Sequence, residues 1–197
     1  TQQLRHEVGQ DASLLMVSVS RLERNKGYHV FADVLAQAQQ AGLLPANWRW
    51  VLVGDGKERH ALATQVAQLG IAAHVTFAGR MSDSDLQNMY AASDFFVHPT
   101  LYEGSSLVTL EAMIHQRPVL ASAAGGIPDK VFTGVNGILV PPDNREALLN
   151  GLRDMLAARA QWATWGAAGA AIVRSQFDWP VVAQRTLDAY HHALQAQ

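Results

Sequence analysis

Short apolar runs without a helical period alternate along this chain with stretches whose apolar residues recur every three or four positions. Residues 14–20 (Leu-Leu-Met-Val-Ser-Val-Ser) form the first run, bounded by polar residues, and predict a buried strand. A polar turn, Arg21-Leu-Glu-Arg-Asn-Lys26-Gly27, leads to a helix over 28–40, with Val30, Phe31, Val34, Leu35 and Ala38 on one face and Gly42 past its end. A second strand over 48–53 stops at Gly54-Asp-Gly56. The helix after it, 58–69, carries Leu62, Val66 and Leu69 and ends at Gly70. A third strand over 74–77 precedes Gly79-Arg80. Ser82 or Ser84 then caps a short helix with Leu86, Met89 and Tyr90 on its apolar face.

The fourth strand, 95–97, is closed by Pro99. Glu103-Gly-Ser-Ser106 turns into a helix in which six of the eight residues 107–114 are apolar. A fifth strand over 118–122 ends before Ala124-Gly-Gly-Ile-Pro128, and Pro128 suits the first position of a further short helix. A sixth strand over 137–140 is stopped by Pro141-Pro142. Asp143 or Asn144 caps a helix to 158 with Leu148, Leu152 and Met155 inward. An Ala-rich helix over 160–175 follows. The last helix spans 180–194, with Ala183, Leu187, Tyr190 and Leu194 at i, i+4, i+7 and i+11.

Six alternations of strand and helix, with continuously apolar strands, predict an α/β fold: an open, doubly wound, six-stranded parallel sheet, Rossmann-like and covered on both faces. No internal repeat or linker divides it, so residues 1–197 read as one domain. In such a sheet ligands bind beyond the carboxyl ends of the strands. The loops at 20–27, 54–57, 79–81, 99–106 and 123–128 all fall on that edge.

Composition narrows the function classes. The chain has 197 residues, 49% of them hydrophobic, and a formal charge of −2, which argues against a protein held mainly by nucleic-acid phosphates or anionic lipid. It has no cysteine, which excludes disulfides, thiol nucleophiles and thiolate metal sites and fits a cytoplasmic protein. No apolar run approaches the ~20 residues of a membrane-spanning helix. The polar stretch 1–11 lacks a signal-peptide core. It also lacks an initiator Met, as a piece of a longer protein would.

Glu111 lies within the apolar helix, so it is expected to sit out of water, where a carboxylate needs a partner. That partner is either an Arg or Lys in a structural ion pair or a ligand hydroxyl. Arg21 and Lys26 flank the first turn: two solvated surface cations, or a pair matching a diphosphate. Gly104, Ser105 and Ser106 open a helix N-terminus whose free N–H groups favour an anion, with either serine also able to act as a simple cap. Gly54-Asp-Gly56 is weakly informative alone. The first loop lacks the Gly-x-Gly-x-x-Gly fingerprint, which argues against an NAD enzyme. His98, before Pro99, is either a ligand contact or an ordinary interior histidine. His191-His192 are adjacent on a helix and cannot face one ion. Together these loops suit an anionic, hydroxyl-rich ligand such as a nucleoside diphosphate sugar.

Tyr102-Glu-Gly-Ser-Ser-Leu-Val-Thr-Leu-Glu-Ala-Met113, with Glu103 and Glu111 eight positions apart, resembles the donor-site motif of the family-four retaining glycosyltransferases. Ser20-Arg-Leu22 with Lys26-Gly27 resembles that family's phosphate-binding pair. Val53-Gly-Asp-Gly56, Ala124-Gly-Gly-Ile-Pro-Asp129 and Asn136-Gly-Ile-Leu-Val-Pro-Pro142 are similar to its later landmarks, in the same order. The resemblance implies that Arg21 and Lys26 hold the donor diphosphate, Glu111 the ribose hydroxyls and Glu103 the transferred sugar. It also implies that the backbone N–H groups of Ser105, Ser106, Leu107 and Val108 serve sugar and phosphate, with Gly54 in the donor site and the loop carrying Arg80 and Met81 beside the base. The family often has Gly-Phe-Gly where this chain has Gly104-Ser105-Ser106, which puts the shape of the sugar pocket in question.

That family has two Rossmann-like lobes, the GT-B arrangement, and the resemblance covers only the C-terminal, donor-binding one. It implies metal-independent retaining transfer of a hexosyl unit, no cofactor beyond the nucleotide sugar, and an acceptor site in an N-terminal lobe outside this chain. The final helix would cross back to that lobe. By analogy the product is a cell-envelope polysaccharide or lipopolysaccharide, made in the cytoplasm or at the inner face of the membrane, with peripheral membrane association through the other lobe. The competing readings are a nucleotide-sugar epimerase or sugar phosphorylase lobe, and a non-catalytic phosphosugar-binding module.

Overall fold

Six parallel strands are laid side by side in the order β3-β2-β1-β4-β5-β6. They are β1 (Leu14–Val19), β2 (Trp48–Val53), β3 (Val75–Gly79), β4 (Phe95–His98), β5 (Val119–Ser122) and β6 (Gly137–Val140) in the computed structural model, which describes residues 2–8 and 11–195. Thr1, Gly9, Gln10, Ala196 and Gln197 of the expected single domain lie outside the described residues. The chain winds outward from β1 in both directions, so the order reverses between β1 and β4, and the crevice beyond their carboxyl ends is the topological switch point.

The side-chain alternation of a strand builds a core on each face of the sheet. Leu14, Met16, Trp48, Trp50, Leu52 and Leu120 face one way, against α2 (Tyr28–Gln40), α3 (Arg59–Gln68) and α6 (Arg145–Ala157). Leu15, Val17, Val51, Val53, Phe96 and Ala121 face the other, against α4 (Asp83–Ala92) and α5 (Leu107–Ile114). Ser18 is buried within β1, and its hydroxyl donates to Val97 O at 2.7 Å while accepting from Trp50 Nε1 at 3.0 Å.

Several local expectations are corrected. The polar start holds a helix, α1 (Gln2–Glu7), anchored by Arg5, which donates to Asp94 at 3.0 Å and to the carbonyls of Ala92 and Ala12. A lone cation carries no periodic signal for such a docked turn. Of the alternative caps, Ser82 is the one that caps α4 and Asn144 the one that caps α6. No helix starts at Pro128: the segment makes one turn, and Asn136 then takes the Phe132 N–H and donates to Lys130 O, which ties the backbone down before a second turn can form. The Ala-rich helix, α7 (Trp162–Ile172), widens into a π-helical turn over Val173–Phe177. The last helix, α8 (Trp179–Gln195), has no buried residue; Trp179 is 83% exposed, and Leu187, Tyr190 and Leu194 are exposed too.

Candidate functional site

Close backbone approaches assemble the carboxyl edge. Gly27 has φ +71°, and a Cβ there would stand 1.9 Å from Pro99 O, so only glycine lets the loop after β1 lie against the loop after β4. Leu101 N and Thr100 Oγ1 both donate to Asn25 O, at 2.7 and 3.0 Å, and fasten the two loops together.

This junction brings Lys26 to Glu103. Lys26 Nζ donates to Glu103 Oε2 at 2.9 Å, and His98 Nε2 lies 2.8 Å from the same oxygen. The Gly104 N–H donates to Oε1 at 3.1 Å. The His98 hydrogen bond, followed by Lys26, holds the Glu103 carboxyl down to about 2 against an opposing effect of burial. Burial, the largest effect, lowers the pKa of His98, while the hydrogen bond and the charge of Glu103 pull it back up.

Gly125, with φ +53°, packs so closely on Glu103 that a Cβ would meet its carbonyl oxygen at 1.7 Å, and Gly126 N donates to Gly104 O at 2.8 Å. The Ala124-Gly-Gly loop is thus the floor under the Glu103 turn. Beside it, Lys130 is 1% exposed and donates to Ser105 O and, at 3.3 Å, to Ser105 Oγ. Its ammonium also sits 5.3 Å over the Phe177 ring. Burial lowers its pKa. Ser106 occupies the N-cap position of α5 in a left-handed conformation, φ +52°, yet it does not cap: its hydroxyl pairs with Thr109 Oγ1 at 2.7 Å. The first N–H groups of α5 therefore receive no side-chain cap from Ser106.

Glu111 departs from expectation. It is half-buried, and its partner is neither Arg nor Lys but the Tyr90 hydroxyl, which donates to Oε2 at 2.8 Å. Burial and then the Glu111 charge raise the tyrosine's pKa, so it stays a donor. The helix around it is not dry on every side either: Leu107 is 68% exposed.

Arg21 and Lys26 do not share a partner. Arg21 pairs with Glu23 at 3.0 Å and, with Ser20, Gly54, Asp55, Arg80 and Met81, lines an open cleft of about 340 Å³. The predicted base-side residues are thus gathered in one place, while Lys26 belongs to the Glu103 cluster. Asp83-Ser-Asp85 has the spacing of a carboxylate pair, but it forms the exposed first turn of α4, with Asp85 bonded to Ser82 Oγ at 2.7 Å. Tyr90 and Lys130 contact the candidates Glu111 and Ser105 without standing among the sequence candidates themselves. Tyr90 reads as core, and the available signal for Lys130 was a cation placed directly after Gly-Gly-Ile-Pro-Asp on the ligand edge.

The family model "Glycosyl transferases group 1" matches residues 2–171. An uncharacterized glycosyltransferase of Methanocaldococcus jannaschii is 29% identical over 97% of this chain and 48% of its own length. HepE of Anabaena, solved with UDP, is 30% identical with a TM-score of 0.84, over 97% of this chain and 52% of that one. HepE has also been solved with UDP-glucose. Sucrose-phosphate synthase of Thermosynechococcus elongatus is 29% identical with a TM-score of 0.83, over all of this chain and 50% of that one. The chain spans about half the length of each of these relatives. With its Rossmann-like sheet and the Glu103–Glu111 turn and helix in place, the chain belongs to the glycosyl transferases group 1 family.

Proposed function

We propose that this chain is the donor-binding half of a retaining glycosyltransferase, which takes a nucleoside diphosphate sugar for transfer of a hexosyl unit to a glycan or lipid-linked acceptor. The observation that carries the reading is the meeting of Lys26, His98 and Glu103 at the switch point, beside the uncapped end of α5. An ammonium has three donors, so the bond to Glu103 does not exhaust Lys26, and the diphosphate is held between Lys26 and Arg21, which reaches it from the separate cleft it lines with Arg80. The N–H groups of Ser105, Ser106, Leu107 and Val108 add to that hold. Glu111, half-exposed and steadied by Tyr90, accepts from the ribose hydroxyls, and Glu103 accepts from the sugar. Gly54, Arg80 and Met81 frame the base. The UDP and UDP-glucose complexes of HepE support a donor of this chemical class.

In this reading protein cations and backbone amides offset the charge that develops on the departing nucleotide, so the transfer requires no metal. The acceptor site lies in an N-terminal lobe that completes the protein, and a cell-envelope polysaccharide or lipopolysaccharide is the product class. No helix among the described residues is long and apolar enough to cross a membrane. Contact with the inner face of a membrane falls to the other lobe. Titration calorimetry of the chain with UDP, GDP and ADP tests the donor reading. One of the three binds in the micromolar range or more weakly, and Lys26→Ala and Glu111→Ala each weaken it about tenfold, the loss of one charge-assisted contact. A parent chain that takes up none of them, or variants that bind as the parent does, refutes it.

A further inference from the structure

His98 ends β4 with its ring fully buried, stacked on Phe96 at 5.8 Å and 19°. Nε2 faces Glu103 Oε2, while Nδ1 is buried without a hydrogen-bond partner. An ionised carboxylate only accepts, so Nε2 carries a proton. A second proton on Nδ1 would be an unpaired N–H on a buried cation, which costs more than an unpaired lone pair. The ring is therefore neutral, in the Nε2–H tautomer.

The consequence falls on Glu103. Lys26 and His98 both donate to Oε2, and Gly104 N donates to Oε1. A carboxylate offers about four lone-pair sites, so one on Oε1 remains. With both donors on one oxygen, the side chain cannot rotate to present Oε2 without losing both bonds. Because the ring is neutral, Lys26 is the one cation bonded to Glu103 among the described residues, and the carboxylate keeps its negative character. We infer that His98 is a positioning residue: a neutral Nε2–H donor that locks Glu103 so that Oε1 is presented to the transferred sugar as a fixed anionic acceptor. This rests on the reading of Glu103 as the sugar contact.

Nitrogen-15 spectra of the histidine rings and carbon-13 titration of Glu103, both on the 197-residue chain, test the lock without any ligand. The expected ring is the neutral Nε2–H form throughout the neutral range; a protonated ring or an Nδ1–H tautomer overturns the inference. His98→Gln places an amide N–H near the position of Nε2, whereas His98→Asn places one near Nδ1. Glu103 in His98→Gln should titrate as in the parent, and in His98→Asn about one unit higher, the loss of one hydrogen bond to the charged form. Equal titration in both variants overturns the lock. With UDP-glucose as the probe, His98→Gln should bind within about threefold of the parent and His98→Asn about tenfold more weakly; parent-like binding by His98→Asn overturns the sugar-facing role. A parent chain that does not bind UDP-glucose overturns the donor reading and that role together, while the spectra still decide whether His98 holds Glu103.

Discussion

Replacing Glu103 by glutamine keeps the shape of the side chain and removes its charge. Oε2 accepts from Lys26 and His98, and Oε1 accepts from Gly104 N. An amide cannot serve all three: whichever way it turns, its NH₂ faces at least one donor, and Lys26 loses its counter-charge with only 13% of its side chain exposed. Hydrogen bonds to charged groups contribute roughly 1.5–3 kcal/mol each, and partial exposure trims the lysine pair toward the low end, so the loss should be about 3 kcal/mol. For a domain of this size that is roughly 6–12 °C in Tm. The loss also has a pH signature. The folded-state pKa of Glu103 is depressed, so its stabilising contribution is fully present above its ordinary value of 4.5 and disappears as pH falls through about 2. Urea unfolding followed by fluorescence of the five tryptophans, in parent and Glu103→Gln protein, should show the gap at neutral pH and its narrowing across that window. Equal midpoints at neutral pH, or a gap that stays constant through the window, would refute the electrostatic account of the cluster.

Three further substitutions separate the loop floor from the ligand edge. Gly125→Ala sets a Cβ against the Glu103 carbonyl and should cost at least ~2 kcal/mol, whereas Gly70→Ala, with φ +72° but nothing within 4 Å, should cost only the left-handed strain of about 1 kcal/mol. Similar losses of Tm in the two would show that the close approach carries no weight. Lys130→Met removes a buried cation in favour of an apolar chain of like length, so its stability should stay within about 1 kcal/mol of the parent or rise. Calorimetry with UDP-glucose should nonetheless show weaker binding, because the Ser105 carbonyl has lost its donor; unchanged affinity would remove Lys130 from the site.

Much of the architecture follows from local pattern. Residues 14–19 and 48–53 are apolar on both sides of the strand apart from Ser18 and Arg49, and Val30, Phe31, Val34, Leu35 and Ala38 recur at the helical period, so those elements can be read without knowing their neighbours. The helix over Tyr28–Gln40 falls where its periodicity places it. Gly27, Gly54 and Gly125 announce close approaches, though not against what. The segment after Pro128 misleads because a proline favours a helix start locally, while Asn136, eight residues after it, claims the backbone groups of Lys130 and Phe132 that a second turn would use.

By itself, then, the sequence determined the α/β class, the edge that carries the site and the candidates Glu103, Glu111, Arg21 and Lys26, because burial period and turn chemistry are properties of neighbouring residues. Tertiary structure decided the partnerships. Lys26 meets Glu103 across 77 positions, and Lys130 reaches Ser105 across 25. Glu111 is held by Tyr90 on the preceding helix rather than by a cation, and Arg21 stands apart with Arg80. Whether a carboxylate is paired, and whether a histidine beneath it is charged, depends on solvent access and on atoms brought in from other strands. Neither is encoded in the spacing along one.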